Sequence, residues 1–216
     1  PPPPGRRAPN LTPDPSNGAA TLSLTEDDIK ALREMGIKLD TLVPAGATDA
    51  QATDAYTRLG QEALGGGRYG LADQLFQSAL GRSPRNTMAQ AGRINAVMGL
   101  GLLMTAGNDL RDFYTDHPEM IPVRFESTLL MPRARADHLA GLLTADIDKG
   151  ADGTIANSGL TLAFLGRQFE NQAWLDKGLD AMAAQTTGDP QGAELWKVLN
   201  AVWRANAKPS PPGGTH

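Results

Sequence analysis

Small and large residues at helical spacing between Tyr56 and Pro84 constrain the fold of this chain more than any other feature. The first part of this stretch reads Tyr56-x2-Leu59-Gly60-x2-Ala63, and the second reads Ala72-x3-Phe76-x2-Ala79-x4-Pro84. Residues three or four apart share one stripe of an α-helix, so each part predicts a helix with one apolar stripe. The glycines at 65–67 predict the end of the first helix, because glycine enters left-handed conformations freely. The stretch therefore predicts a helical hairpin, in which Gly60 and Ala72 allow close approach.

A hairpin of this kind cannot bury both of its apolar faces alone, so further helices must stack on it. Shifting the pattern by about 34 residues tests for a repeat of the unit. The second helix of the shifted unit keeps the pattern with Ala106, Leu110, Phe113 and Pro118. In the first helix, Arg93 and Ile94 replace the Leu-Gly pair, which argues against an equally close crossing there. A second shift loses the register.

These residues resemble a tetratricopeptide repeat, complete at 53–86 and degenerate at 87–120. The resemblance implies an all-α fold, a right-handed superhelical stack of antiparallel helix pairs. In that family the leading helix of each pair lines a concave groove that binds a partner polypeptide. The positions that the resemblance places in the groove are Asp54, Thr57, Gln61 and Leu64 in the first repeat, and Met88, Ala91, Asn95 and Met98 in the second.

The groove positions also indicate a kind of partner. Family members with a carboxylate clamp bind acidic C-terminal peptides of heat-shock chaperones through basic groove residues. Thr57 and Gln61 stand where the clamp would have Lys and Asn, so that partner is disfavoured. Neutral polar side chains and methionines instead suit an amphipathic helix or an extended peptide of modest charge.

The segments before the first repeat predict an arm and a cap. Residues 1–20 are rich in proline and favour an extended or disordered arm, either a tether or a ligand for an aromatic-lined groove. A short helix with Thr25 as its N-cap and Gly36 as its stop would cap the stack. Thr48 and Gln51 form a capping-box signature that begins the leading helix of the first repeat at about residue 49.

The segments after residue 118 predict an irregular insertion and more helices. Residues 119–131 are predicted to be irregular, and a helix follows from Pro132 to Lys149. A second hairpin is predicted from helices at 154–165 and 169–184, with its turn at 166–168. A last helix begins at Asp189-Pro190, and its Trp196 and Trp203 would seal the stack. The helical domain then covers 21–206, and residues 207–216 form a flexible tail.

Composition excludes several classes of function. The net charge of −4 and the pI near 5.4 give no reason to expect nucleic acid or anionic membrane as a partner. No cysteine is present, which excludes disulfides and thiolate chemistry. The longest apolar run, 96–106, is too short to span a membrane. The absence of an initiator Met and the proline-rich start favour a processed or trimmed chain of extracytoplasmic or envelope location, and a cytoplasmic location stays open.

Residues with catalytic or metal-binding potential form no complete motif. Asp146, Asp148 and Asp152 resemble part of a calcium loop but lack its glycine and its bidentate glutamate. His117 and His138 stand outside any catalytic motif. We therefore expect no enzymatic activity, no metal and no cofactor.

Two functions fit this sequence. The first is a protein-interaction scaffold that binds a partner in the groove. The second is a structural or assembly subunit of a larger complex, for example in an envelope, docked through the face of Trp196 and Trp203 and tethered by the proline-rich arm. Stoichiometric assembly would separate the second function from the first, whose signature is peptide binding.

Overall fold

All regular structure in the described part of the chain is helical. The computed structural model describes residues 46–150, 157–185 and 189–205, together with Val43, Gly153 and Ile155. These residues form eight α-helices and no strand. In chain order the helices are α1 (Asp49–Gly65), α2 (Tyr69–Arg82), α3 (Thr87–Gly99), α4 (Leu103–Asp116), α5 (Arg133–Asp148), α6 (Ser158–Gln168), α7 (Gln172–Gln185) and α8 (Pro190–Ala205). The predicted all-α class is confirmed, whereas the proline-rich arm, the capping helix and the C-terminal tail lie outside the described residues.

Helix α1 begins and ends at the residues that its capping box and its glycines predict. The Thr48 side chain accepts a hydrogen bond from the Gln51 N–H, and the Gln51 side chain accepts one from the Thr48 N–H. This reciprocal pair satisfies two of the N–H groups that a helix leaves free at its start. At the other end, Gly67 has φ +70°, a conformation that glycine adopts without strain. The predicted capping box and glycine stop are both confirmed.

The ring of Phe76 on α2 lies between two glycines. A Cβ added to Gly60 on α1 would lie 2.8 Å from this ring, and one added to Gly92 on α3 would lie 2.3 Å from it. Real Cβ atoms do not approach that closely, so both helices reach α2 because they lack a side chain at these positions. The expected close approach at Gly60 is confirmed. Gly92 serves the contact between α3 and α2, so it does not bear on the crossing of α3 and α4, where Arg93 and Ile94 replace the Leu-Gly pair.

Successive helices stack on one another around one continuous apolar core. Helix α2 packs on α1 and α3, α3 also packs on α4, and α1 lies beside α3. The later helices continue from there, because α4 contacts α6, α5 lies on α6 and α7, and α7 contacts α8.

The α6–α7 hairpin differs from the prediction in the position of its turn. The predicted turn 166–168 belongs to α6, and the chain reverses at 169–171, where Glu170 has φ 54°. Gly166 lies inside α6. A Cβ at this position would be 2.3 Å from the backbone N of Leu175 on α7, so only a glycine allows the two helices to lie this close. This glycine therefore serves helix contact, and it does not form a turn.

The segment predicted as an irregular insertion at 119–131 contains short helical turns and is well packed. Residues 118–131, which we call the strap, contain the 3₁₀ helices Pro118–Met120 and Ser127–Leu129. Four of its large apolar side chains are buried: Ile121, Phe125, Leu129 and Met131. The strap is consequently part of the core.

Candidate partner-binding face

The eight predicted groove positions lie on α1 and α3, which pack side by side. We call the surface that carries these positions the leading-helix face. Along α1, Asp54 is exposed, Thr57 and Gln61 are half-buried, and Leu64 is fully buried. The accessibility of these four positions therefore decreases from the first to the last along the helix.

Helix α3 shows the same gradient more steeply. Met88 is 37% exposed, whereas Ala91 is 1% exposed and Asn95 and Met98 are fully buried. Four of the eight predicted positions, Leu64, Ala91, Asn95 and Met98, therefore lie in the core and are not accessible to a partner in this structure. Asp54, Thr57, Gln61 and Met88 form the accessible part of the face.

The strap contacts both helices that carry the leading-helix face. Its 3₁₀ turn Ser127–Leu129 packs against both α1 and α3, and Leu129 is fully buried. A face of this kind is where the tetratricopeptide resemblance places a partner. Sequence reasoning missed this contact, although Ile121, Phe125 and Leu129 recur at four-residue intervals in a segment predicted to be irregular.

The first half of the strap is anchored by α6 and α8. The Trp203 indole N–H donates to the carbonyl oxygen of Ile121 at 2.7 Å. The backbone N–H of Phe125 donates to Oε1 of Gln168 at 2.9 Å. An ion pair between Arg124 and Glu170 lies at the surface beside these bonds. This half therefore has anchors that do not involve α1 or α3.

Two polar atoms on the leading-helix face are buried without a partner. The Thr57 hydroxyl and Oδ1 of Asn95 take part in no hydrogen bond with the described residues. The Asn95 side chain is held by its other end, since Nδ2 donates to the carbonyl oxygen of Ala91 at 3.1 Å. A buried polar atom left unpaired costs about 1–3 kcal/mol. The face therefore favours any occupant that donates hydrogen bonds at these two points.

A second concave surface lies between α3 and α4. This cleft of about 190 Å³ is lined by Leu80, Gln90, Arg93, Ile94, Asp109, Asp112, Phe113, Asp116 and His117. Arg93 bridges Asp73 on α2 and Asp109 on α4, with N–O distances of 3.2 and 3.4 Å. Burial raises the pKa of Asp109 above its ordinary value, and the nearby Arg93 opposes that shift. The arrangement ties three helices together, which is a sufficient structural role for its charges.

The carboxylates of the partial calcium loop are used within the fold. Asp146 is buried and accepts a hydrogen bond from the N–H of Ile155, and Asp148 pairs with Lys177. Asp152 lies outside the described residues. Within the described ranges, no three histidine or carboxylate side chains are placed to hold a metal ion.

The two tryptophans of α8 pack inward. Trp203 is fully buried, and the half-buried Trp196 donates its indole N–H to the carbonyl oxygen of Leu179 at 3.0 Å. They pack against the rest of the fold, as expected of a sealing helix. The assembly hypothesis assigned a docking face to these two tryptophans. Trp203 is not accessible for docking, because its side chain is fully buried.

No helix of the described residues combines the length and the apolar character that crossing a membrane requires. The chain matches no family model, no curated protein and no solved structure. The resemblance of residues 53–86 to a tetratricopeptide repeat therefore stays a prediction supported by its residues.

Proposed function

We propose that this chain is a non-catalytic interaction scaffold that binds a partner polypeptide on its leading-helix face. The finer architecture in this proposal is a right-handed superhelical stack of the tetratricopeptide type. Its support is the order of contacts in the first three helices, where α1 packs on α2, α2 on α3, and α1 beside α3. The glycines on both sides of Phe76 support the same close nesting of helix pairs.

The observation that carries the proposal is the pair of unpartnered polar atoms at Thr57 and Asn95, which are enclosed in this structure and become available to a partner only when the packing over α1 and α3 opens. Both belong to positions that the tetratricopeptide resemblance assigns to partner contact. Backbone N–H groups of an extended peptide are suitable donors for them. The partner therefore has a free edge of backbone N–H groups, as an extended segment does.

The accessible positions add two features to the partner. Asp54 is exposed and takes part in no ion pair with the described residues, so it favours a basic side chain nearby. Met88 presents a flexible thioether side chain that adapts to irregular apolar surfaces. The proposed partner is thus an extended peptide with one apolar anchor and a modest positive charge.

Selection from a phage-displayed peptide library on the immobilised chain tests the proposal. Peptides enriched on the wild-type chain should bind the Asp54→Lys/Met88→Glu double variant at least about tenfold more weakly, because both accessible determinants are reversed or made polar. The matched control is Asp112→Lys/Leu142→Glu, which makes the same chemical changes at exposed positions on α4 and α5. The control should bind as the wild type does.

Two results would count against the proposal. Equal binding to both double variants would remove the leading-helix face as the binding surface. A chain that enriches no peptide, but self-associates in sedimentation velocity, would instead fit the assembly-subunit hypothesis.

A further inference from the structure

We infer that the turn Ser127–Leu129 of the strap is an intramolecular occupant of the leading-helix face that competes with the partner. This inference rests on the proposed function and concerns the regulation of that site. The turn contacts both α1 and α3, which are the two helices that carry the predicted binding positions. The chain thus holds part of its own binding face closed.

The turn can open without the rest of the strap. Its internal hydrogen bonds are local, from the Leu129 N–H to the Glu126 carbonyl oxygen at 2.9 Å and from the Leu130 N–H to the Ser127 carbonyl oxygen at 3.2 Å. Ile121 and Phe125 are anchored separately, by Trp203 and Gln168. Residues 126–131 therefore form the part that can leave the face while the first half of the strap stays in place.

The turn is also an incomplete occupant. It packs on α1 and α3, on which the Thr57 hydroxyl and Asn95 Oδ1 remain without hydrogen-bond partners among the described residues. A partner that donates to both atoms would satisfy groups that the strap leaves unpaired, and this difference favours exchange. The strap therefore weakens partner binding without abolishing it.

The cost of opening the turn follows from the apolar side chains that opening exposes. Leu129 and Met131 are the two buried apolar side chains of the part that opens. Exposing two such side chains disfavours the open state by about 10²–10⁴-fold, or about 3–6 kcal/mol at about 1.4 kcal/mol per tenfold. The apparent affinity of a partner falls by the same factor, because only the open fraction binds.

Hydrogen exchange on the wild-type chain tests the opening directly. The N–H groups of Leu129 and Leu130 should exchange through a local opening, with protection factors of about 10²–10⁴. The buried Ala163 on α6 should be protected at least about tenfold more strongly, because its exchange requires wider unfolding. Equal protection at Leu129, Leu130 and Ala163 would overturn the proposal, because the turn would then open only with the whole fold.

A peptide with the sequence FESTLLMP, which copies residues 125–132, tests the occupancy. Fluorescence anisotropy should show it binding to the Leu129→Asp chain at least about 100-fold more tightly than to the wild type, whose face is already covered. The Leu142→Asp chain, changed at an exposed leucine on α5, should behave like the wild type. A peptide that carries Asp at the position of Leu129 should not bind.

The outcomes separate this inference from the proposed function. A folded Leu129→Asp chain that ignores the peptide would overturn the occupancy, whatever the phage selection gives. Circular dichroism establishes whether that chain folds, and Leu129→Ala replaces it if it does not. Peptide binding to the variant, combined with an empty phage selection, would support the occupancy and reject only an external partner.

Discussion

Replacing Gly178 on α7 by alanine tests the close backbone contact between α6 and α7. An added Cβ would lie 2.3 Å from the backbone N of Ala163 and 2.6 Å from the carbonyl oxygen of Gly159, both on α6. Carbon atoms in contact prefer separations of about 3.5–4.0 Å, so the two helices would have to separate by about 1 Å. Backbone atoms cannot rotate away as a flexible side chain can, and the strain therefore falls on the whole hairpin.

The expected magnitude combines two opposing effects. Overpacking of this kind costs about 3 kcal/mol, at the upper end of the usual range because backbone meets backbone. The better helix propensity of alanine returns about 1 kcal/mol. The net loss is then about 2 kcal/mol, which lowers the Tm of a domain of this size by about 4–8 °C.

A matched variant makes the same chemical change where space is open. Gly141 on α5 is exposed, and nothing lies within 4 Å of an added Cβ. Gly141→Ala should therefore stabilise the chain by about 0.5–1 kcal/mol. Urea denaturation followed by circular dichroism measures both variants. A Gly178→Ala chain as stable as Gly141→Ala would refute the backbone contact between α6 and α7.

Two further predictions concern buried and paired polar groups. Asn95→Glu places a carboxylate at a fully buried position, whereas Gln61→Glu places one at a half-buried position. Asn95→Glu should therefore lower the Tm by several degrees more than Gln61→Glu does. Equal Tm values of the two variants in thermal melts would contradict the burial of Asn95. The second prediction concerns Arg111 and Asp189, whose side chains lie 2.7 Å apart. The hydrogen bond from Arg111 lowers the pKa of Asp189 below its ordinary value of 3.8. The pair therefore stabilises the fold at pH values above 3.8, and this stabilisation is lost as the pH falls through the lowered pKa. The Asp189→Asn variant keeps the N-cap of α8 but loses the ion pair. In urea denaturation this variant should be less stable than the wild type at neutral pH and equally stable in strong acid. A stability difference that does not depend on pH would reject the ion pair as the cause of that difference.

The sequence predicted most of what is local in this fold. The capping box at Thr48 and Gln51 and the cap at Asp189 depend on neighbouring residues alone, and all three residues have the predicted roles. The apolar stripes through Tyr56 and Phe76 are buried as their spacing indicated. Patterns of this kind are readable because three or four residues along a helix decide which side chains share a face.

What the sequence did not predict depends on contacts between distant segments. Gly166 was interpreted as a turn because glycine often ends helices, yet its role comes from Leu175 on the facing helix. The burial of Leu64 and Asn95 depends likewise on what packs over α1 and α3. No period within α1 or α3 shows that a turn from 127–129 contacts both helices.

The strap connects the leading-helix face to the core of the later helices. In a simple solenoid each repeat contacts only its neighbours, so groove residues can change with little effect on stability. Here one segment contacts α1 and α3 through the turn at 127–129 and is bonded to α6 and α8 through Phe125 and Ile121. Under the proposed function, a substitution at a buried position of the face therefore changes both folding and binding, because the same side chain would take part in both. Partner specificity would then vary independently of folding only at the accessible positions, chiefly Asp54 and Met88, and these are the positions where a binding defect can be attributed to a lost contact.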